Sequence, residues 1–427
     1  MFFLAAITVA ISLILPEWFL LILVYLAIRI IEGQFGIPSL LSLGEADILI
    51  SDLIIIILFF KALLRASVEK QFLRHVRIDV LPGLMAFIAV MIFSVGLANF
   101  RFGREVFLLE LVPLLRFLGL QIGGFILLVF FLRSLKEVQM AQRAVYWLGW
   151  FAAVSIYLGL LLRPFGITVG EINVSETVAR YQGILGDSVK LFLLPFIFFE
   201  VLSTRFAAAV FFLGALLATG GRIGFIGLLV GLVVIIVLER EKVLGARYFS
   251  AFTAVVVGIS IGLWFDIGGM LTRFIDPSEM SLGLGQRAAT WSVASAMASE
   301  NVLTGLGFGG YRLFVDDYLF AGQLSFPPFL TETFSQILKA AVDGGVLGLA
   351  TFLWMMWNLL TVMRTSMLAT QGDLHVFLKA GYVFVLTLMI LSPVVAWLLP
   401  ASKVSYLLFA FVGVGVSVLK PGERYQV

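Results

Sequence analysis

Long apolar runs recur along the chain, separated by short charged or glycine-rich breaks. A helix that crosses a bilayer needs about 20 mostly apolar residues. On that measure spans are expected near residues 48–66, 82–98, 114–132, 144–162, 188–203, 206–219, 223–238, 248–266, 343–361, 376–395 and 400–419. Several runs are nearer about 15 residues than 20, which predicts short, untilted helices or helices sunk within the bundle. Pro16 and Glu17 interrupt residues 1–31, which make one bent helix or two short ones. No basic start precedes that stretch and no small-residue cleavage site follows it, so it does not read as a cleaved signal peptide. Between residues 266 and 343 the apolar rhythm stops. Residues 286–300 (QRAATWSVASAMASE) predict a helix, and 329–343 predict an amphipathic helix leading into the next span. No solenoid-type repeat and no low-complexity tract is present.

Charge in the short breaks sets the expected orientation, because cytoplasmic loops carry an excess of Lys and Arg. Residues 61–77 hold Lys61, Arg65, Lys70, Arg74 and Arg77; 133–143 hold Arg133, Lys136 and Arg143; 239–247 hold Arg240, Lys242 and Arg247. All three fall on one side, expected to be cytoplasmic, and the chain ends on that side at Lys420 and Arg424. The expected fold is all-α, a polytopic membrane protein of about twelve transmembrane helices. It divides into N-terminal helices 1–162, central helices 163–266 with a first outer loop at 163–187, a large outer loop 267–342, and C-terminal helices 343–427. Long connections without a span are usually functional.

Composition narrows the function classes. Of 427 residues, 61% are hydrophobic and 13% charged, too little charge to cover a water-soluble surface. Soluble enzymes, nucleic-acid binders and secreted disulfide scaffolds are excluded together. The net charge of +3 does not point to a polyanionic macromolecule. No cysteine is present, and His75 and His375 are the only imidazoles, both expected on the cytoplasmic side. Chemistry therefore falls to carboxylates, hydroxyls and arginines.

Four arginines map to the outer side: Arg116, Arg180, Arg222 and Arg287. Ionisable groups at membrane depth are costly and mark function by default. Arg222 follows Gly220 and Gly221 at a helix start, where the glycines admit a ligand and the amino terminus adds donors for an anion; an interfacial snorkelling arginine gives the same pattern. Arg180 sits in a Gly-punctuated turn and, taken alone, reads as a solvated loop charge. Arg287 opens the predicted loop helix with Trp291 one turn on, which in isolation is an interfacial anchor. Arg116 lies near the outer end of its helix, with Glu110 as a potential carboxylate partner. Guanidiniums gathered on one side repel unless an anion joins them, and their planar forks match phosphate bidentately. A lipid-linked phosphate or pyrophosphate is the expected ligand.

These segments resemble one family. RYQGILGDSVK (180–190) resembles the "R-x-x-G-x-x-x-x-x-N" turn of the O-antigen ligase and polymerase superfamily. TGGRIGFIGLLVG (219–231) resembles its "T-x-S-R-x-x-x-x-x-L" helix start, and QRAATW with NVLTGLGFGGY (286–291 and 301–311) its "R-x-x-x-W…n-P-l-x-G-x-G-x-G" signature. TETFSQILKAAVDGGVLGL (331–349) resembles the loop-to-helix junction that ends in a G-[IL]-[IL]-G turn. The resemblance implies a metal-independent, cofactor-free glycosyltransferase of the bacterial inner membrane, with its site facing the periplasm. Its donor would be an undecaprenyl-pyrophosphate-linked glycan and its acceptor a second glycan, with a chain-length regulator as a potential partner and no nucleic acid. Carried over residue by residue, the pyrophosphate falls to Arg180, Arg222 and Arg287, with Arg116 added from its outer placement. Ligases of the family that act on the lipid A core carry a histidine at the junction. Here no histidine occurs between residues 76 and 374, and the stretch reads Thr331-Glu332-Thr333, nearer to the Glu-Ser or Glu-Thr of some polysaccharide polymerases.

Glycosyl transfer needs a stabilised leaving group and a deprotonated acceptor hydroxyl. Arg287 and its companions suit the first role. For the second, Glu332 stands between apolar Phe329 and Phe334, with Asp316, Asp317, Glu300, Asp276 and Glu279 as alternates. A carboxylate at a helix start favoured by the dipole is the plainer account of Glu332. Asp187 and Lys190 either position the donor or pair with each other. Gly305, Gly307, Gly309 and Gly310 predict a tight turn that folds the Arg287 helix back over the bundle as a lid, since no strand precedes them as a nucleotide loop requires. The competing class is a flippase or secondary carrier, which would show internal repeats and midplane charges; neither is visible.

Overall fold

The computed structural model describes Glu17 and residues 41–43, 46–48, 50–68, 81–165, 171–174, 179–183, 185–240, 246–264, 266, 275, 277–321, 333–398 and 402–419. Residues 1–16, 18–31, Asp276, Glu332, Lys420 and Arg424 lie outside the described residues. So do the side chains of Arg180, Asp187 and Glu279.

The chain is a bundle of helices with two small antiparallel hairpins. In order these are β1 (Leu41–Leu43), β2 (Ala46–Ile48), α1 (Ile50–Val68), α2 (Pro82–Phe102), α3 (Arg104–Arg116), α4 (Gly123–Phe131) and α5 (Leu135–Leu162). Then come β3 (Glu171–Val174), β4 (Ala179–Gly183), α6 (Val189–Phe192), α7 (Leu194–Leu202), α8 (Phe206–Ala218), α9 (Arg222–Leu238) and α10 (Ala246–Trp264). The remainder is α11 (Pro277–Glu300), α12 (Gly310–Ala321), α13 (Gln336–Leu368), α14 (Gly372–Leu391) and α15 (Lys403–Val418). Every apolar run expected from residue 48 onward falls on a helix. The run 188–203 is broken into a 3-10 turn, α6 and α7.

Five described helices are long and apolar enough to cross a membrane: Pro82–Phe102, Leu109–Phe131, Leu135–Phe165, Gln336–Leu368 and Gly372–Leu391. Phe206–Ala218, Arg222–Leu238, Phe252–Trp264 and Lys403–Val418 are apolar but shorter. The expected count of about twelve spans is thus met only in part by length. Both faces of these helices are apolar, which marks a helix solvated by lipid on its outer side. On α5, Trp147, Phe151, Val154, Leu158 and Leu161 form an exposed stripe at helical spacing, while Leu148, Ala152, Ala153 and Ile156 of the same helix are buried.

Polarity decides where helices start. Ser134 accepts from the Glu137 amide at 3.2 Å while Glu137 Oε2 accepts from the Ser134 amide at 2.8 Å, a reciprocal cap on α5. The charged stretch expected as a loop at 133–143 is therefore helical from Leu135. Pro113 removes a backbone donor inside α3, and a π turn over Phe117–Ile122 absorbs the irregularity before α4. α7 is buried along its whole length, and α13 lies between α2 and α14.

The two ends of the bundle differ. At one end Arg65 lies over the Phe131 ring, Gln142 donates to the Asp373 carbonyl, and Lys379 pairs with Glu239. The described parts of the basic segments (Lys61 and Arg65, Arg133 to Arg143, and Arg240) and His375 lie at this end, in keeping with the charge pattern. The opposite end carries residues 277–321, the start of α13 and the α14–α15 connection, and is called the loop end below.

Candidate functional site

The site begins with a glycine turn between α11 and α12. Gly305, Gly307 and Gly309 have φ of 68°, 105° and 90°, in the left-handed region that side chains avoid. The turn is zipped to α13 by backbone bonds: Leu306 N–H donates to Val342 O at 2.7 Å, Gly307 N–H to Asp343 O at 3.1 Å, and Val346 N–H to Val302 O at 2.7 Å. α13 opens to receive it at Gly345, φ 63° and ψ −155°. A Cβ on Gly345 would lie 2.5 Å from the carbonyl carbon of Leu303. From α2, Ser94 Oγ lies 2.8 Å from Thr304 O, and Arg101 donates to Asn301 Oδ1 at 2.5 Å and Gly305 O at 2.9 Å. The turn does fold the loop back over the bundle, as the sequence predicts, and is clamped there from two helices.

Beneath it lies a group of ionisable side chains. Lys339 and Asp343, one turn apart on α13, pair at 3.0 Å and are 6% and 3% exposed. Asp343 Oδ1 also accepts from Gly309 N–H at 3.2 Å, and Lys339 lies 5.6 Å from the centroid of the Phe308 ring. Glu110 of α3 is fully buried, interacts electrostatically with Asp343, and presses its carboxyl against Gly307, where a Cβ would collide with it. Neither Glu110 oxygen has a hydrogen-bond partner among the described residues. Arg116 therefore does not pair with Glu110. Six residues separate them on one helix, so they point about 120° apart. Arg116 also lies twelve residues from Arg104, about 18 Å down from the loop end, rather than near the outer end as expected.

Arg287 comes from the middle of α11, which starts at Pro277, and does not open its helix. The sequence of that first stretch, with Gly283 and Gly285, hid the extra turns. Arg287 donates to the Val394 carbonyl at 2.5 Å and stacks over the Phe334 ring at 5.3 Å. One turn on, Thr290 Oγ1 lies 3.3 Å from the Thr333 carbonyl. The loop arginine is thus seated on the loop-to-helix junction, next in sequence to Glu332. α13 starts at Gln336, later than the helix expected from 329, behind a Ser335 cap that accepts from the Leu338 amide at 3.2 Å. Gln336 Oε1 accepts from Trp397 and Leu398 amides at 3.1 and 2.8 Å, so the same junction fixes the α14–α15 connection.

Arg222 is the first residue of α9, as predicted. The glycines around it serve a close neighbour: a Cβ on Gly221 would meet Lys190 Cδ at 2.7 Å, and one on Gly224 would meet Lys190 Cβ at 2.9 Å. Arg180 lies in a strand, paired with Asn173 across the β3–β4 hairpin, where a turn was expected. Lys403 at the start of α15 donates to the Leu185 carbonyl at 2.7 Å. Of the alternate acids, Asp316 and Asp317 are exposed on α12, a helix the sequence reading did not expect, and Glu300 accepts from Tyr318 OH at 2.6 Å. Among the described residues no three His, Asp or Glu side chains gather as a metal-binding group.

Lys339, Asp343, Gln336, Arg101 and Lys403 were not singled out from sequence. Only the i, i+4 spacing of Lys339 and Asp343 in QILKAAVDGG gave a visible signal. Comparison with curated proteins finds no match. Residues 207–353, spanning α8 to the middle of α13, match a family model described as O-antigen ligase. That stretch includes Arg222, Arg287, the glycine turn and the Lys339–Asp343 pair, and over it the chain is similar to the O-antigen ligase/polymerase superfamily, which supports the resemblance read from the sequence.

Proposed function

We propose that this chain is a membrane glycosyltransferase that polymerises oligosaccharide repeat units carried on a polyprenyl pyrophosphate. Its family match indicates a function of the O-antigen ligase or polymerase type. The observation that carries the finer reading is the seat of Arg287 on Phe334 and Val394, which joins the loop arginine to the junction bearing Glu332. In this reading the protein sits in the bacterial inner membrane with the loop end facing the periplasm. An acceptor hydroxyl attacks the anomeric carbon, its proton passes to Glu332, and the bond to the pyrophosphate oxygen breaks. Arg287, Arg222 and Arg180 meet the charge that develops on the departing pyrophosphate, while the deep placement of Arg116 leaves it a structural role. Thr331-Glu332-Thr333 in place of a histidine favours a polymerase. The family description favours the second reading, a ligase that transfers the glycan once to a lipid A core.

Reconstitution with an undecaprenyl-pyrophosphate-linked repeat unit tests this. A ladder of lengthening chains is expected; a single transfer onto lipid A core supports the ligase, and movement of the glycan across the bilayer without transfer supports a flippase. Arg287→Ala and Arg222→Ala should each lower the rate by about 100-fold, and Arg287→Lys should not restore it, because a point charge lacks the bidentate fork. Failure of any sugar to move, with both alanine variants retaining function in cells, sinks the proposal.

A further inference from the structure

The family match ends within α13, yet the loop end is completed by α6 and α15, both outside it. α6 packs against the helices that begin with Arg222 and Lys403. Lys190 of α6 lays its stem across Gly221 and Gly224, on either side of Arg222 in sequence. Lys403 is held by its bond to the Leu185 carbonyl, just ahead of Gly186 at φ 61°. That bond ties the start of α15 to the turn that leads into Lys190. All three cations are half-buried, the pattern of covered stems that deliver a charged head to a surface. Lys403 and Lys190 meet at one turn, Leu185–Lys190, and α9, which begins with Arg222, packs beside it with its amino terminus adding backbone donors.

The α14–α15 connection links this cluster to Arg287. It receives the guanidinium at Val394, is held by Gln336 at Trp397 and Leu398, and ends at Lys403. We infer that Lys403 and Lys190, together with Arg222, form a phosphate subsite around the Leu185–Lys190 turn that grips the pyrophosphate of the lipid-linked donor. This assignment rests on the glycosyltransferase reading and extends its site to helices that the family match does not reach. An ammonium has three donors and no acceptor, so Lys403 can bond a carbonyl and a phosphate oxygen together. The same chemistry would also take the phosphate of an anionic phospholipid headgroup, and the test separates the two sources.

Lys403→Met and Lys190→Met are made in the full chain and reconstituted in vesicles of fixed anionic-lipid content. For each, KM for the lipid-pyrophosphate donor should rise at least about tenfold, the loss expected of one charge-assisted bond. The inhibition constant of inorganic pyrophosphate should rise by the same factor, and Lys403→Arg should recover most of both. A lysine that only braces the Leu185 turn would lower the unfolding midpoint and the turnover without moving pyrophosphate inhibition, and that result overturns the inference. So does a variant whose defect follows the anionic-lipid content of the vesicle while pyrophosphate inhibition stays at the wild-type value, because the subsite then holds a headgroup. Should the wild type transfer no sugar, the glycosyltransferase reading falls on its own. Calorimetric binding of inorganic pyrophosphate to wild type and variants then decides the subsite, with equal affinities counting against it.

Discussion

The Lys339–Asp343 pair allows a quantitative test of how the loop is seated. The two side chains meet at 3.0 Å and are 6% and 3% exposed, so each charge depends on its partner. Removing one member of a buried pair costs about 3–5 kcal/mol, whereas replacing both by apolar groups is often nearly neutral. Lys339→Met leaves Asp343 facing Glu110, a second carboxyl that already interacts with it, which puts this variant at the upper end, about 5 kcal/mol. Asp343→Asn keeps an acceptor for the Gly309 amide, removes the carboxylate that faces Glu110, and leaves Lys339 over the Phe308 ring. Its cost belongs at the lower end, about 3 kcal/mol. In Lys339→Met/Asp343→Asn both charges go while the Gly309 amide keeps an acceptor, and the remaining loss is about 1 kcal/mol. The double variant should therefore be more stable than either single one. Equilibrium unfolding in mixed detergent micelles, followed by tryptophan fluorescence, measures the cycle. A double variant whose loss equals the sum of the single losses would show that the pair is uncoupled and that backbone bonds alone hold the turn. If Asp343→Asn proved worse than Lys339→Met, the part assigned to Glu110 would be wrong.

Two further outcomes follow from the same region. Gly345→Ala should cost at least about 2 kcal/mol, because the left-handed backbone alone penalises a side chain by about 1–2 kcal/mol and the added Cβ meets main-chain atoms of Leu303 that cannot swing aside. Gly344→Ala, whose Cβ would meet the flexible end of Met91 at 2.6 Å, should cost clearly less; equal losses by the same unfolding measurement would refute the close-approach argument. Burial, then the bond to Glu300, raises the Tyr318 hydroxyl above its usual value. The folded state thus holds that proton more tightly than the unfolded chain, so the contribution is intact below about pH 10 and fades as pH climbs through the raised value. Hydrogen exchange in α11 and α12 should stay flat from about pH 6 to about pH 9, corrected for intrinsic rates, and quicken above about pH 10. Tyr318→Phe should lack that alkaline limb, and an unchanged limb would rule out the Tyr318–Glu300 link as its source.

What could be read from sequence follows from how local each feature is. Apolar length marks a helix wherever it lies, so the runs on α5, α8, α9, α10 and α14 were found. Their ends were harder to place, because charge inside a helix looks like charge in a loop. Lys136, Glu137 and Arg143 sit on α5, and only the Ser134–Glu137 cap shows where that helix begins. The hairpins escaped because strands of three to five residues carry too few positions for an alternation to show. Arg222 and Arg287 stand out as candidates because each lies within a local pattern, a glycine pair before an apolar run and an arginine before a tryptophan.

The features that position these arginines are non-local. Glu110 meets Gly307 nearly two hundred residues away, Arg101 meets Asn301, Arg287 meets Val394, and Lys403 meets Leu185. In each case a polar side chain or a close-packed glycine answers a backbone from another segment, and neither partner has a periodicity to reveal it. The contacts around the glycine turn share one physical cause. α13 must break at Gly345 to admit the 302–307 backbone, and the amide and carbonyl groups freed by that break need partners. Leu306, Gly307 and Val346 supply the backbone bonds, while Asp343 takes the Gly309 amide and so requires Lys339 beside it. The buried charges are thus a consequence of docking the glycine turn, and the turn is what carries α11, and Arg287 with it, onto the junction at Thr333.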